Sequence, residues 1–303
     1  MAELLAYTII GLSVGGVFSL AALGIVLIYR TTGVLNFAHG AMGMFSTFVA
    51  YQAFYGYSHP FWPQWLATLV ALIAGLGFAA LLGLGLEFGV FRWVRTREPV
   101  VKAVITIGVL LALQSAASLI WKNNQYHLPI YVVPQTWVWV IPHVGVPVGA
   151  NSILIIVVAI GLAIGLGAFL RYTSFGRAMR AVSDSPTSAG LWGVPVGKVG
   201  AVSWMLGSVV AALAGILITA EGINFDTTSL TLLIIDALAA ALIGGMVSLP
   251  LTVVGGFVLG LLETYPQIWI QSIGFPRLVA LLVILFVLIV RNPRGLTVSV
   301  SSK

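Results

Sequence analysis

Apolar residues run in stretches of membrane-spanning length, about 17–25 residues each. They fall at about 4–29, 34–56, 65–91, 102–121, 151–171, 200–220, 229–246, 249–268 and 277–291. The stretch 229–268 is almost continuous and the last run is short, so the pattern predicts eight or nine transmembrane helices. Prolines mark the ends of the runs, at Pro60, Pro63, Pro186, Pro195, Pro250, Pro266, Pro276 and Pro293. In hydrocarbon the backbone must satisfy its own polar groups, and helices do so within one segment. The expected fold is therefore an all-α polytopic membrane protein, with one transmembrane domain covering 1–303.

Composition agrees. Hydrophobic residues make up 60% of the chain and charged residues 7%, against roughly 25% charged in a soluble domain. The 34 glycines suit helices that pack backbone to backbone in lipid. The first run, Leu4–Tyr29, is too long for a signal-peptide core and has no basic segment before it, so it is expected to be retained as the first helix.

The net charge of +6 raises the question of a nucleic-acid or acidic partner. The position of the charges answers it. Placing 30–33, 92–101, 172–199 and the C-terminus on one side collects twelve of the fourteen lysines and arginines, leaving only Lys122 and Arg277 opposite. The positive-inside rule makes the richer side cytoplasmic, with the N-terminus outside and the C-terminus inside, and no nucleic-acid partner is expected. Trp62, Trp65, Trp121, Trp137 and Trp139 then cluster at the outer boundary as an interfacial belt. The outer segment 122–150, with Pro129, Pro134, Pro142 and Pro147 among valines and tryptophans, has the pattern of a small surface hairpin whose strands the prolines limit.

Catalytic sets are missing from the sequence. His39, His59, His127 and His143 are scattered without metal-ligand spacing, so no metal is expected. There are no cysteines, which excludes disulfides and thiol catalysis. The run Gly193-Val-Pro-Val-Gly197-Lys198 has the wrong glycine spacing for a phosphate loop and lacks the following Ser or Thr. The chain is read as no enzyme and as needing no cofactor; ATP, if used, binds to another chain.

Three constellations break the apolar pattern. The first is Thr31-Thr-Gly-Val-Leu-Asn36-Phe-Ala-His39-Gly40-Ala-Met-Gly43. The i, i+3 spacing of Asn36 and His39 puts both on one helical face, and polar groups at membrane depth face a bundle interior or a cavity. Two readings stand: a hydrogen bond to a neighbouring helix, or a broken helix lining a pathway. The second is Asp236, inside an apolar span with no basic residue nearby in sequence, followed by Gly244, Gly245, Ser248 and Pro250. It is read either as a packing acceptor or as part of the pathway, next to an interrupted or re-entrant segment. One glycine-interrupted span in each half hints at the internal repeats of transporters.

The third is the inner segment 172–199, which contains Ser174-Phe-Gly-Arg177-Ala-Met-Arg180 and Ser185-Pro186-Thr-Ser-Ala189-Gly-Leu191-Trp192-Gly193. Ser185 is a good N-cap with proline at the first helical position. A short helix over 186–192 is predicted, ending at Gly193. It presents Leu191 and Trp192, an apolar face suited to docking. Arg177 and Arg180 are equally placed for lipid phosphates.

Together these constellations resemble the branched-chain amino acid permease family of binding-protein-dependent ABC importers, in its shorter LivH-like type. The resemblance covers essentially the whole chain. It rests on Gly33-Val-Leu-Asn-Phe-Ala-His-Gly40, Gly176-Arg-Ala-Met-Arg-Ala-Val182 and Asp236-Ala-Leu through Gly244-Gly-Met246. It implies a bacterial inner-membrane subunit, with two cytoplasmic ATPase subunits, a second permease chain (like or unlike this one) and an external substrate-binding protein as partners. It implies a coupling helix at about 186–193, with Arg177, Arg180, Ala189, Leu191, Trp192 and Gly193 at the ATPase contact. Asn36, His39, Gly40 and Asp236 fall to the translocation pathway, and the solute is a branched-chain or related small amino acid or amide. The chain departs from the general importer loop at Thr187, where glutamate is usual. It departs again after the double glycine, where Val247 and Leu251 replace glycines. The alternative is a self-sufficient secondary transporter or channel for a small polar solute.

Overall fold

The computed structural model describes residues 2–57, 63–95, 97–122, 124–128, 138–140, 147–220, 224–270 and 274–290. His59, Trp62, Trp137, His143, three of the outer-loop prolines and the basic tail from Arg291 lie outside them. The helices in chain order are α1 (Ala2–Thr32), α2 (His39–Tyr57), α3 (Gln64–Gly89), α4 (Pro99–Trp121), α5 (Ala150–Tyr172) and α6 (Ser174–Asp184). They continue with α7 (Pro186–Leu191), α8 (Val196–Ala220), α9 (Ser229–Ile243), α10 (Leu249–Thr264) and α11 (Phe275–Val290). The outer segment contributes one short antiparallel pair, β1 (Val138–Val140) and β2 (Pro147–Gly149), with Trp139 opposite Val148. Elsewhere the described chain is helical or irregular.

Each predicted apolar run contains one helix, but not all have the same reach. Among the described residues six helices are long and apolar enough to cross a bilayer: α1, α3, α4, α5, α8 and α10 with its 3-10 extension to Ile268. Helices α9 and α11 are apolar but have only 15 and 16 residues. At about 1.5 Å per residue such helices fall short of a hydrocarbon core of roughly 30 Å. Helix α2 has 19 residues but includes His39, Ser46, Thr47 and Gln52, and it is not among the six. Six crossings are thus clear by length and composition among the described residues, because an apolar run located a segment without fixing how much of it becomes helix.

Helix α1 is the centre of the bundle. It packs most extensively on α10, then on α8, α5 and α9, and Leu20, Leu23, Ile25 and Val26 are fully enclosed. By contrast α3, α4 and α5 present much of their apolar surface outward, as lipid-facing helices do. The α1–α10 contact rests on small residues: a Cβ on Gly260 would lie 2.4 Å from the Gly11 carbonyl and the Gly15 nitrogen. Gly256 lies equally close to Ser19, whose hydroxyl donates to the Val253 carbonyl at 2.9 Å. Without a hydrophobic force between helices in lipid, such backbone approach is what holds them.

The interruptions have local causes. Gly33, at φ +65°, ends α1 by returning its N–H to the Tyr29 carbonyl. The second interruption is a tight turn, 244–248, with Gly245 at φ +70° and Met246 at φ +60°. Ser248 then caps α10 at the Leu251 N–H, and Pro250 occupies the first turn. The expected interrupted or re-entrant segment is thus an interruption, a turn between two packed helices, α9 and α10.

The two ends of the bundle differ. One end gathers the close of α1, the 95–102 junction, α6, α7 and the 244–248 turn around a common cavity. At the opposite end the Thr8 and Tyr265 hydroxyls are hydrogen-bonded, and Tyr126 bridges Phe225 in a short antiparallel contact. Phe48 stacks on Trp121 there, with Phe225 at 5.0 Å between ring centroids. At that end too, Asp226 accepts from the Thr228 and Ser229 N–H groups at the start of α9. Partial burial works against its charge, but those N–H groups, the Ser229 hydroxyl and Arg277 outweigh it and hold the carboxyl below the usual range.

Candidate functional site

The α6–α7 unit is built from caps. The Thr173 hydroxyl accepts the Gly176 N–H at 2.9 Å and starts α6. Gly176 allows α6 to fold straight back on α5, since a Cβ there would lie 2.4 Å from the Phe169 carbonyl. The Arg180 guanidinium donates to the Leu170 carbonyl and fixes that corner. Met179 and Val182 are buried against the bundle, while Arg177 is exposed. Ser185 caps α7 through the Ser188 N–H at 3.2 Å, with Pro186 at the first position. At the other end Gly193 turns left-handed at φ +80°, and the Val194 N–H returns to the Ala189 carbonyl at 3.0 Å. This is the paired closure that glycine permits at a helix C-terminus.

Six residues of helix result, one fewer than expected, because Trp192 is the C-cap. Ala189 faces inward and is buried; Leu191 and Trp192 are 86% and 89% exposed. The two side chains form a large apolar pair displayed from a capped turn outside the bundle.

Asn36 and His39 are both buried, but they do not share a helical face. Asn36 belongs to the irregular link 33–38, where its side-chain oxygen accepts the Ala38 N–H at 3.0 Å and its amide reaches the Met42 sulfur. An asparagine that binds its own backbone two residues on competes with helix and favours a cap, which is why α2 starts only at His39. The His39 ring lies against α1, where a Cβ on Gly24 would come within 2.5 Å of it. The Ala21 carbonyl is near enough to act on the ring, yet neither ring nitrogen has a well-formed hydrogen bond. Gly40 meets α9 directly: a Cβ would stand 2.4 Å from the Thr231 carbonyl. His39, Gly40 and Gly43 border a small enclosed space with Ala211 and Gly215 of α8 and Leu230, Ile234 and Ala237 of α9.

Asp236 has two charged neighbours in space and forms no ion pair with either among the described residues. It feels the charge of Arg277, at the start of α11, and it is electrostatically linked to Glu263 of α10. Glu263 is 4% exposed, and its Oε1 has no hydrogen-bond partner among the described residues. In sequence Glu263 and Arg277 lie near span ends, with nothing there to link either to Asp236. The only available signal was that each is an isolated charge in an apolar run.

Residues from each of the three constellations border one cavity at the α7 end of the bundle, but Asn36, His39, Gly40 and Asp236 do not line it. A cavity of about 570 Å³ is bordered by Arg30 and Gly33, by Ser183, Asp184 and Pro186, and by Met246 and Val247, together with Arg95, Lys102 and Gly200. Beside it Arg95 pairs with Glu87, which is 1% exposed, and donates to the Gly197 carbonyl at 3.3 Å. The pair sits on α8 at Gly200, where a Cβ would fall 2.9 Å from the Glu87 carboxylate. Replacing Arg95 with Ala leaves that carboxylate buried and unpaired, at a cost of about 1–3 kcal/mol. Adding Glu87→Gln is expected to restore much of the loss. Thermal unfolding followed by size-exclusion chromatography checks the cycle: equal stability of Arg95→Ala and the double variant would contradict it.

Comparison with known proteins points to a family of membrane permeases. The family model for the permease component of branched-chain amino acid transport systems matches residues 7–290. The high-affinity branched-chain amino acid transport system permease LivH of Escherichia coli is 26% identical over 290 residues, covering 94% of this chain and 92% of its own. The corresponding permease BraD of Pseudomonas aeruginosa is 29% identical over 268 residues, with 84% and 83% covered. A probable LivH of Methanocaldococcus jannaschii is 26% identical over 291 residues, with 92% and 87% covered. No solved structure matches the chain. With a bundle of membrane-length helices and a family match that runs almost from end to end, the chain belongs to the family of branched-chain amino acid transport system permease components.

Proposed function

We propose that this chain is the membrane subunit of a binding-protein-dependent ABC importer, forming half of the pathway for a branched-chain amino acid or a related small amino acid or amide. The observation that carries the reading is α7. A capped, six-residue helix outside the bundle displays Leu191 and Trp192 to the surroundings, next to a cavity that touches all three sequence constellations. A carrier that works alone has no use for such a projection; a subunit driven from outside needs one.

In this reading the α7 end is cytoplasmic, because it carries the excess of arginine and lysine. Helices α2, α9 and α11 also cross, giving nine passes with the N-terminus outside and the C-terminus inside, and the whole chain is one permease domain. Two ATPase subunits dock on α7 of this chain and of a second permease chain, with Arg177 and Arg180 supporting the contact. An external binding protein delivers the solute to the opposite end. Asn36, His39, Gly40 and Asp236 belong to the elements that move during transport, where α2 and α9 touch.

Reconstitution in liposomes with cognate ATPases and binding protein is expected to give uptake of labelled leucine that requires ATP. Uptake that persists without the ATPases would defeat the reading in favour of a self-sufficient transporter. The grouping of Asp236, buried Glu263 and exposed Arg277 is the observation favouring that alternative, since intramembrane charges mark proton and ion relays. In the same assay His39→Ala is expected to lower uptake while leaving ATPase co-purification intact. Unchanged uptake would leave His39 as a packing residue between α1 and α2.

A further inference from the structure

The cavity at the α7 end holds cations that the fold leaves unanswered. Lys102 is 9% exposed and lies in the first turn of α4. That place is unfavourable for an ammonium group, because the amino end of a helix repels positive charge. Arg30, in the last turn of α1, borders the same space. Among the described residues neither Lys102 nor Arg30 has a side-chain hydrogen bond or ion pair, and the Ser183 hydroxyl beside them has none either. Arg95 is already engaged with Glu87, and Asp184, the one carboxylate lining the cavity, is exposed. At about 570 Å³ the space has the size of a small-molecule site, within the roughly 300–1,000 Å³ such sites occupy.

We propose that this cavity is an oxyanion site, in which Lys102, Arg30 and the Ser183 hydroxyl hold the carboxylate or phosphate group of a small anion. Lys102 supplies charge from α4, Arg30 from α1, and Ser183 a neutral donor from α6. The bound group joins α4 to α1 and α6, which already pack on each other, and α6 leads into α7. The site goes beyond the transport reading and stands without it, because it is tested on the isolated full chain.

The chain in phosphatidylcholine nanodiscs is expected to bind labelled isocaproate saturably in equilibrium dialysis and not its neutral isostere isocaproamide. Arg30→Gln, which leaves the buried lysine in place, is expected to weaken binding by about tenfold or more. Lys102→Gln should do the same, and Lys102→Arg should keep the affinity. Nanodiscs containing phosphatidylglycerol separate the sources of the anion. If this lipid displaces isocaproate, and native mass spectrometry shows it retained by the wild-type chain but not by Arg30→Gln, the occupant is a lipid headgroup. If it does not compete, the occupant is a soluble carboxylate. Equal binding of isocaproamide overturns the proposal. So does the absence of both isocaproate and phosphatidylglycerol binding above the Arg30→Gln background.

Discussion

Leu191→Ala combined with Trp192→Ala is expected to abolish co-purification of the ATPase subunits while leaving the membrane bundle as stable as before. The two expectations separate because both side chains are almost fully exposed, at 86% and 89%. Surface truncations of this kind usually change stability by no more than about 0.5 kcal/mol. At an interface the same residues act differently. Aromatic anchors buried on docking cost about 2 kcal/mol or more when truncated, and the pair together weakens binding on the order of a hundredfold or more. The helix itself survives, since its closure depends on Ser185, Pro186 and Gly193 rather than on the displayed side chains. Co-expression with tagged ATPases and pull-down reads the contact, and melting of the isolated permease reads the fold. Retained co-purification would remove α7 from the coupling role.

Gly260→Leu is expected to have the largest effect on folding. The side chain would begin 2.4 Å from backbone atoms of Gly11 and Gly15, where neither helix has a flexible group to move aside. The α1–α10 contact, the most extensive in the molecule, would have to separate, at a cost of about 3 kcal/mol or more. Gly77→Leu is the matched control, because that glycine is exposed on α3 and has nothing within 4 Å of an added Cβ. Fluorescence-detected size-exclusion chromatography after heating is expected to show Gly260→Leu aggregated and Gly77→Leu unchanged. Similar behaviour of the two would mean that close backbone approach does not hold this bundle.

Several features were legible in the order of residues because their causes act over a few positions. Ser185, Pro186 and Gly193 specify a short capped helix through hydrogen bonds that span at most five residues. Gly33 and the turn at Gly244-Gly-Met246 stop helices by left-handed backbone, again locally. Local reasoning failed once at short range. Asn36 and His39 have helical spacing, but the Asn36 side chain bonds to the Ala38 N–H and ends the helix between them. Spacing places two residues on a common face only where the backbone between them is helical.

By itself the sequence determined that the chain lives in lipid, roughly where its apolar segments fall, and that a short capped helix near 186–192 interrupts them. Hydropathy, capping and chain reversal are properties of neighbours along the chain. Only the tertiary structure decided that Arg277 and Glu263 lie near Asp236, that Arg95 answers Glu87 while Lys102 has no partner among the described residues, and that Gly260 lies against Gly11 and Gly15. Electrostatic pairing falls off with distance in space, and backbone approach depends on which helices cross. Both are fixed when the bundle packs and brings distant parts of the chain together.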